Sequence, residues 1–155
     1  MIRNRRHSGF TLIEILIVVV IMAVLAATII PQFTSSTNDA KVSTAKFNLH
    51  TLRSQVELYR LHHNQAYPAA TNNIEQLTKA TDAAGTSTAA GTPDSTHPYG
   101  PYIQKIPANP FNGKTTVRAD TGTPPTVPAG TGADGWIYRA STGEIWVDDT
   151  ANVGL

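Results

Sequence analysis

The sequence predicts an α+β chain: one long N-terminal helix, about residues 10–61, packed by its second half on a small antiparallel β-sheet head. Three observations carry this expectation. Between Phe10 and Leu61 there is no glycine and a single proline, Pro31. Apolar residues recur at helical spacing through the second half of that stretch. Near the C-terminus, β-branched and aromatic residues gather in two short runs separated by turn chemistry. A chain of 155 residues is enough for one globular head and short for two.

A helix over residues 10–61 would be about 78 Å long. Pro31 has no N–H to offer the carbonyl of Ala27, so the helix should bend or loosen there. Residues 15–30 are apolar apart from Thr28, and adding residues 10–13 reaches roughly the 20 residues that cross a bilayer core. Arg3, Arg5 and Arg6 precede this run with no acid before Glu14, which by the positive-inside tendency keeps residues 1–9 cytoplasmic and sends the rest outward.

An ordinary secretory signal peptide has the same opening: basic residues, an apolar stretch, then small residues such as Val24-Leu25-Ala26 for cleavage. Two features oppose it. Glu14 lies inside the apolar segment, where a charged carboxylate is costly and needs a partner. The helical pattern also continues past the small residues.

In the second half, Val42, Ala45, Leu49, Leu52, Val56 and Tyr59 alternate spacings of three and four and share one helix face. That face should lie under the head, with Lys41, Ser43, Asn48, Arg53 and Glu57 on a solvated or intersubunit surface. The stripe is too short for a free coiled coil. Arg60, His62 and His63 complement the negative end of the helix dipole, and Asn64 suits a left-handed cap. Adjacent histidines could suggest a metal site, but successive helical residues point apart and no third ligand has suitable spacing. A solvated helix end is the expectation.

In the head, Asn72 stands three before Glu75, a weak capping-box pattern opening a short helix with Ile74 and Leu77. Residues 115–118 read as a strand, and residues 136–140 with 144–148 as a hairpin turning through Ser141-Thr142-Gly143. Trp136, Tyr138, Ile145 and Trp146 are expected in core packing and subunit contact rather than as a ligand surface. Gly, Pro, Thr, Ser and Ala crowd residues 83–98 and 119–135, which therefore read as mobile surface insertions.

Twelve basic against eleven acidic groups give a formal charge of +1, without the footprint of a nucleic-acid binder. Without residues 1–9 the balance becomes nine basic to eleven acidic, so the basic excess belongs to the leader. There is no cysteine, hence no disulfide, thiolate metal site or thiol nucleophile. With no Gly-rich phosphate loop or metal-ligand cluster either, an enzyme is not expected.

Gly9-Phe10-Thr11-Leu12-Ile13-Glu14 followed by an apolar run resembles the prepilin cleavage and methylation motif of type IV pilins and type II secretion pseudopilins. The resemblance implies a pilin fold, cleavage between Gly9 and Phe10 by a membrane-embedded prepilin peptidase, and N-methylation of Phe10. Glu14 would be the fifth mature residue, facing the terminal amine of a neighbouring subunit during assembly. Residues 1–9 would be the leader, 10–33 the transmembrane and filament-core half of the helix, and 34–155 the periplasmic or extracellular head. The implied partners are further copies in a filament, other minor pseudopilins, an inner-membrane assembly platform and, before assembly, membrane lipid.

The segments Leu58-Tyr59-Arg60-Leu61, Tyr67-Pro68, Gly100-Pro101-Tyr102-Ile103-Gln104-Lys105-Ile106-Pro107 and Asn109-Pro110-Phe111-Asn112-Gly113 are similar to the major type II secretion pseudopilin family. That similarity, with the absence of a C-terminal cysteine pair, favours a pseudopilus that drives protein export over a type IV pilus for adhesion, motility or DNA uptake. The remaining alternative is a secreted small β-domain binding protein with an ordinary signal peptide. The resemblance also implies a calcium ion in a C-terminal loop, for which Asp134, Asp148 and Asp149 are the candidate ligands. The acidic run expected after Gly132-Ala133-Asp134-Gly135 is missing, so calcium is not supported and a solvated acid pair at 148–149 is expected.

Overall fold

The computed structural model describes residues 9–155, and the leader arginines Arg3, Arg5 and Arg6 lie outside the described residues. Its elements are α1 (Leu12–His62), α2 (Glu75–Thr78), β1 (Val117–Ala119), β2 (Trp136–Arg139) and β3 (Glu144–Val147). Contacts divide the chain into two units, one ending at Asp39 and the other Ala40–Leu155.

Within the first unit, α1 runs through Pro31 without an assigned break. Hydroxyls around the proline bond back to the helix instead of interrupting it: Thr28 Oγ1 donates to the Leu25 carbonyl at 2.9 Å, and Thr34 Oγ1 to that of Ile30 at 3.2 Å. The apolar side chains here are exposed along the whole run, from Leu12 through Ile30 to Phe33.

In the second unit, Ala45, Leu49, Leu52, Val56 and Tyr59 of α1 are buried, so the predicted stripe faces the core. Val42, at its beginning, is only half-buried. The stripe packs in one cluster with Ile74, Leu77, Ile106, Trp136, Tyr138, Ile145 and Val147. Arg53 is not simply a solvated side chain. Its guanidinium donates to the carbonyls of Ile145 at 2.9 Å and Leu155 at 3.2 Å, fastening the C-terminus to the helix.

The helix end is solvated at His62, as expected, but not at His63. His63 is buried, stacked on Tyr59 with 3.7 Å between ring centroids. Its Nδ1 lies 2.7 Å from the Tyr59 carbonyl and its Nε2 2.9 Å from Thr81 Oγ1, so both ring nitrogens are satisfied within the core. Asn64 does take the left-handed conformation, at φ 53°.

Asn72, Asn73 and Ile74 are also left-handed, and Ile74 is fully buried. A β-branched residue rarely accepts that conformation, so its burial in the core must hold it there. The capping box is not formed at α2: Asn72 Nδ2 donates to the Glu75 carboxylate, and no side chain caps the helix.

The sheet has the order β1-β2-β3. β2 and β3 are the expected antiparallel hairpin, with Trp136 opposite Val147 and Arg139 opposite Glu144. β1, however, pairs with β2 in parallel, so the sheet is mixed rather than wholly antiparallel. A parallel pair needs a crossover of about a dozen residues or more. Residues 120–135 supply it, which gives that Gly- and Pro-rich segment a structural task. At the hairpin turn, Gly143 has φ +75° and a Cβ there would strike the Tyr67 ring, so both conformation and close approach demand glycine.

The loop segments read as mobile insertions are tied down. Arg139, 1 % exposed in the middle strand, binds Asp120 Oδ2 through Nε at 2.6 Å and the Thr126 carbonyl through Nη2 at 2.6 Å, with its guanidinium over the Trp146 ring. Thr81 bridges to both Ser87 and Tyr99. Asp82 Oδ1 accepts the backbone N–H groups of Ala84 and Thr86, ordering the turn between them.

Candidate functional site

The first candidate is the N-terminal segment. Phe10 is 84 % exposed and a Cβ on Gly9 would meet nothing within 4 Å, so no described residue packs over the Gly9–Phe10 bond. Thr11 precedes the first residue of α1. Its backbone N–H and its Oγ1 each donate to Glu14 Oε2 at 2.7 Å, while the Glu14 N–H donates to Thr11 Oγ1 at 3.3 Å. This is a reciprocal capping box, in which helix-end donors and the carboxylate satisfy one another. The Thr-x-x-Glu spacing is present in the sequence, and the structure adds this local partner to the external one that the resemblance implies for Glu14.

Glu14 is thus a single carboxylate at the start of an exposed apolar face comprising Ile15, Ile17, Val20, Met22, Val24 and Leu25 among others. α1 is long and apolar enough to cross a membrane, and none of that apolar window is buried by the rest of the chain. Pro31 lies beyond it, inside α1.

The second candidate is the C-terminal loop, and here the three aspartates part company. Asp148 is fully buried, not solvated. Its Oδ1 accepts from the N–H groups of Thr131 and Gly132, and its Oδ2 from the Asp134 N–H at 2.9 Å and Thr131 Oγ1 at 2.9 Å. Burial pushes this carboxyl up, but the N–H bonds from Thr131, Asp134 and Gly132 outweigh it and hold it below its ordinary value. Asp149 turns away to accept from the Ala151 N–H and Asn152 Nδ2. Asp134 contributes backbone, not carboxylate, to the loop.

Trp136, Tyr138 and Ile145 are core, as expected, and the polar tips of the two aromatic rings find carbonyls: Trp136 Nε1 that of Pro107 and Tyr138 Oη that of Pro68, each at 2.8 Å. Among the described residues, no group of three or more His, Cys, Asp or Glu side chains is placed to hold a metal ion.

Comparisons with known proteins agree with this arrangement. The prokaryotic N-terminal methylation motif matches residues 4–30, and the family described as type II secretion system (T2SS), protein G matches residues 32–135. The chain is similar to the type II secretion system core protein G of Pseudomonas aeruginosa, 37 % identical over 109 residues, covering 70 % of this chain and 71 % of the relative. It is 30 % identical to that of Aeromonas hydrophila over 109 residues, with coverage of 70 % and 71 %. It is 32 % identical to that of Dickeya chrysanthemi over 108 residues, with coverage of 70 % and 65 %. No solved structure matches. A methylation motif at residues 4–30, an unburied apolar helix and a head matched along most of its length place this chain in the type II secretion system protein G family.

Proposed function

We propose that the chain is a structural subunit of a type II secretion pseudopilus, held in the bacterial inner membrane with its N-terminus cytoplasmic and its head periplasmic until it joins the filament. The observation that carries this reading is the apolar half of α1, exposed over its full length and bearing one carboxylate, Glu14, near its start. Such a surface is stable only in lipid or against other helices.

In this reading, prepilin peptidase cuts between Gly9 and Phe10, and Phe10 is then N-methylated. Cleavage removes Arg3, Arg5 and Arg6 and leaves a positive amine at Phe10, which the Glu14 carboxylate of a neighbour can meet. In a single chain that carboxylate is satisfied by Thr11. Exchange of a neutral local partner for a buried ammonium would make the pairing directional and fix the register between subunits. The assembly platform and minor pseudopilins are its remaining partners, and its work is mechanical rather than catalytic.

Mass measurement of the mature chain tests this. A terminus at methylated Phe10 is expected. One starting near Ala27 would replace the filament subunit with a secreted domain bearing an ordinary signal peptide.

A further inference from the structure

The fold family implies calcium in the C-terminal loop, and the residues of this chain do not fit it. Calcium takes about six to eight oxygen ligands, largely carboxylates and carbonyls. In this loop both Asp148 oxygens and the carbonyls of residues 132–135 are already engaged by the chain's own donors, and the Asp149 carboxylate accepts from Ala151 and Asn152 instead. Both Asp148 oxygens accept hydrogen bonds from residues 131–134, and the Arg118 guanidinium stands 3.5 Å from Oδ1.

The carbonyls of residues 132–135 are taken as well. Lys114 Nζ donates to those of Gly132, at 3.2 Å, and Ala133. Asn112 Nδ2 donates to the Asp134 carbonyl at 2.7 Å, and Asn109 Nδ2 to that of Gly135 at 2.8 Å. The loop is further closed by backbone approach, since a Cβ on Gly130 would strike the Asp149 main chain. Two cationic side chains, Lys114 and Arg118, therefore face the positions a divalent ion would need. Arg118 Nε is also a buried nitrogen with no hydrogen-bond partner, a spare donor rather than a ligand.

We infer that the C-terminal loop is closed by Lys114, Asn112, Asn109 and the Asp148 carboxylate in place of calcium, so the head keeps its stability without a divalent ion. The ammonium supplies positive charge to the carbonyls and the N–H groups supply it to the carboxylate, the two tasks a metal would otherwise combine. The inference concerns the head alone and stands whether or not the filament role does.

Thermal unfolding of the full chain in detergent, in EGTA and in excess calcium chloride, tests it together with equilibrium dialysis against calcium. The expected result is the same midpoint in both solutions and no retained calcium. A midpoint that rises with calcium, or one ion retained per chain, overturns the inference. Lys114→Met, which keeps the side-chain length and removes the ammonium, should lower the midpoint equally in both solutions. An unchanged midpoint would show that the lysine does not close the loop. Asp148→Asn should act in the same direction, because a neutral amide cannot accept all of the N–H bonds; calcium-specific loss in that variant would also overturn the proposal.

Discussion

The two units of this chain treat apolar surface in opposite ways. Up to Asp39, α1 exposes almost everything it has: Leu12 is 85 % and Phe33 69 % exposed. From Ala40 onward, the helix buries one stripe against the sheet, and buried polar groups of the head meet partners, Asp148 with Thr131 and Arg139 with Asp120, Arg118 Nε being an exception. The difference teaches that the head is a self-contained fold, whereas the N-terminal unit is half of an interface. Its missing half must be lipid or further helices, because backbone hydrogen bonding alone does not make so apolar a surface stable in water.

The contrast is broken most strongly at Trp136. It is fully buried, and Trp136→Ala should destabilise the head by roughly 3–5 kcal/mol. Membrane insertion of the chain should be untouched. Denaturant unfolding followed beside membrane fractionation reads both, and joint loss would show that the units are not independent.

Glu14→Ala should do the reverse. The head should melt as before and leader removal should proceed, while incorporation into sheared filaments falls by more than about tenfold, since a buried ammonium would lose its partner. Unchanged assembly would count against charge pairing and leave Glu14 only its capping box with Thr11.

Titration sharpens the comparison, because the head holds its ionisable groups by specific contacts. Burial pushes the Tyr59 hydroxyl up to about 12, with Asp82 adding to it, and burial likewise pushes Tyr102 up to about 12. Folded values above the unfolded one of 10.0 stabilise the head below that pH, and this contribution should vanish as pH rises towards about 12. Asp148 acts at the other extreme. Its lowered value contributes stability above its ordinary value of 3.8, lost as pH falls through the folded value. Unfolding midpoints across pH should therefore decline at both ends; a flat alkaline limb would mean that the tyrosines are not held as described.

The smallest effect is expected at Phe47, which lies on α1 within the head unit yet is 69 % exposed. Phe47→Ser should change head stability by no more than about 0.5 kcal/mol. A larger loss in a melting curve would place Phe47 in the core.

How far the sequence reached follows the same division. The apolar run, Glu14, the Gly9-Phe10 motif and the stripe from Ala45 to Tyr59 depend on residues close in the chain, so periodicity and local pattern displayed them. The hairpin was legible for the same reason. What escaped was non-local. His63 read as a solvated helix end until Thr81 and Tyr59 closed around it. Residues 119–135 read as a mobile insertion because composition does not reveal a crossover held by Arg139. The acids at 148 and 149 look alike in sequence, yet one is buried among N–H donors and the other closes a terminal turn.

The sequence by itself determined that this chain has a long helix, an apolar half that needs company, and a carboxylate set within it, because each is written in short-range spacing. Only the tertiary structure decided that β1 runs parallel to β2 and that Lys114 and Asn112 meet the loop beyond them. Strand direction depends on the path of residues 120–135. A side chain's partner depends on what that path brings within hydrogen-bond reach.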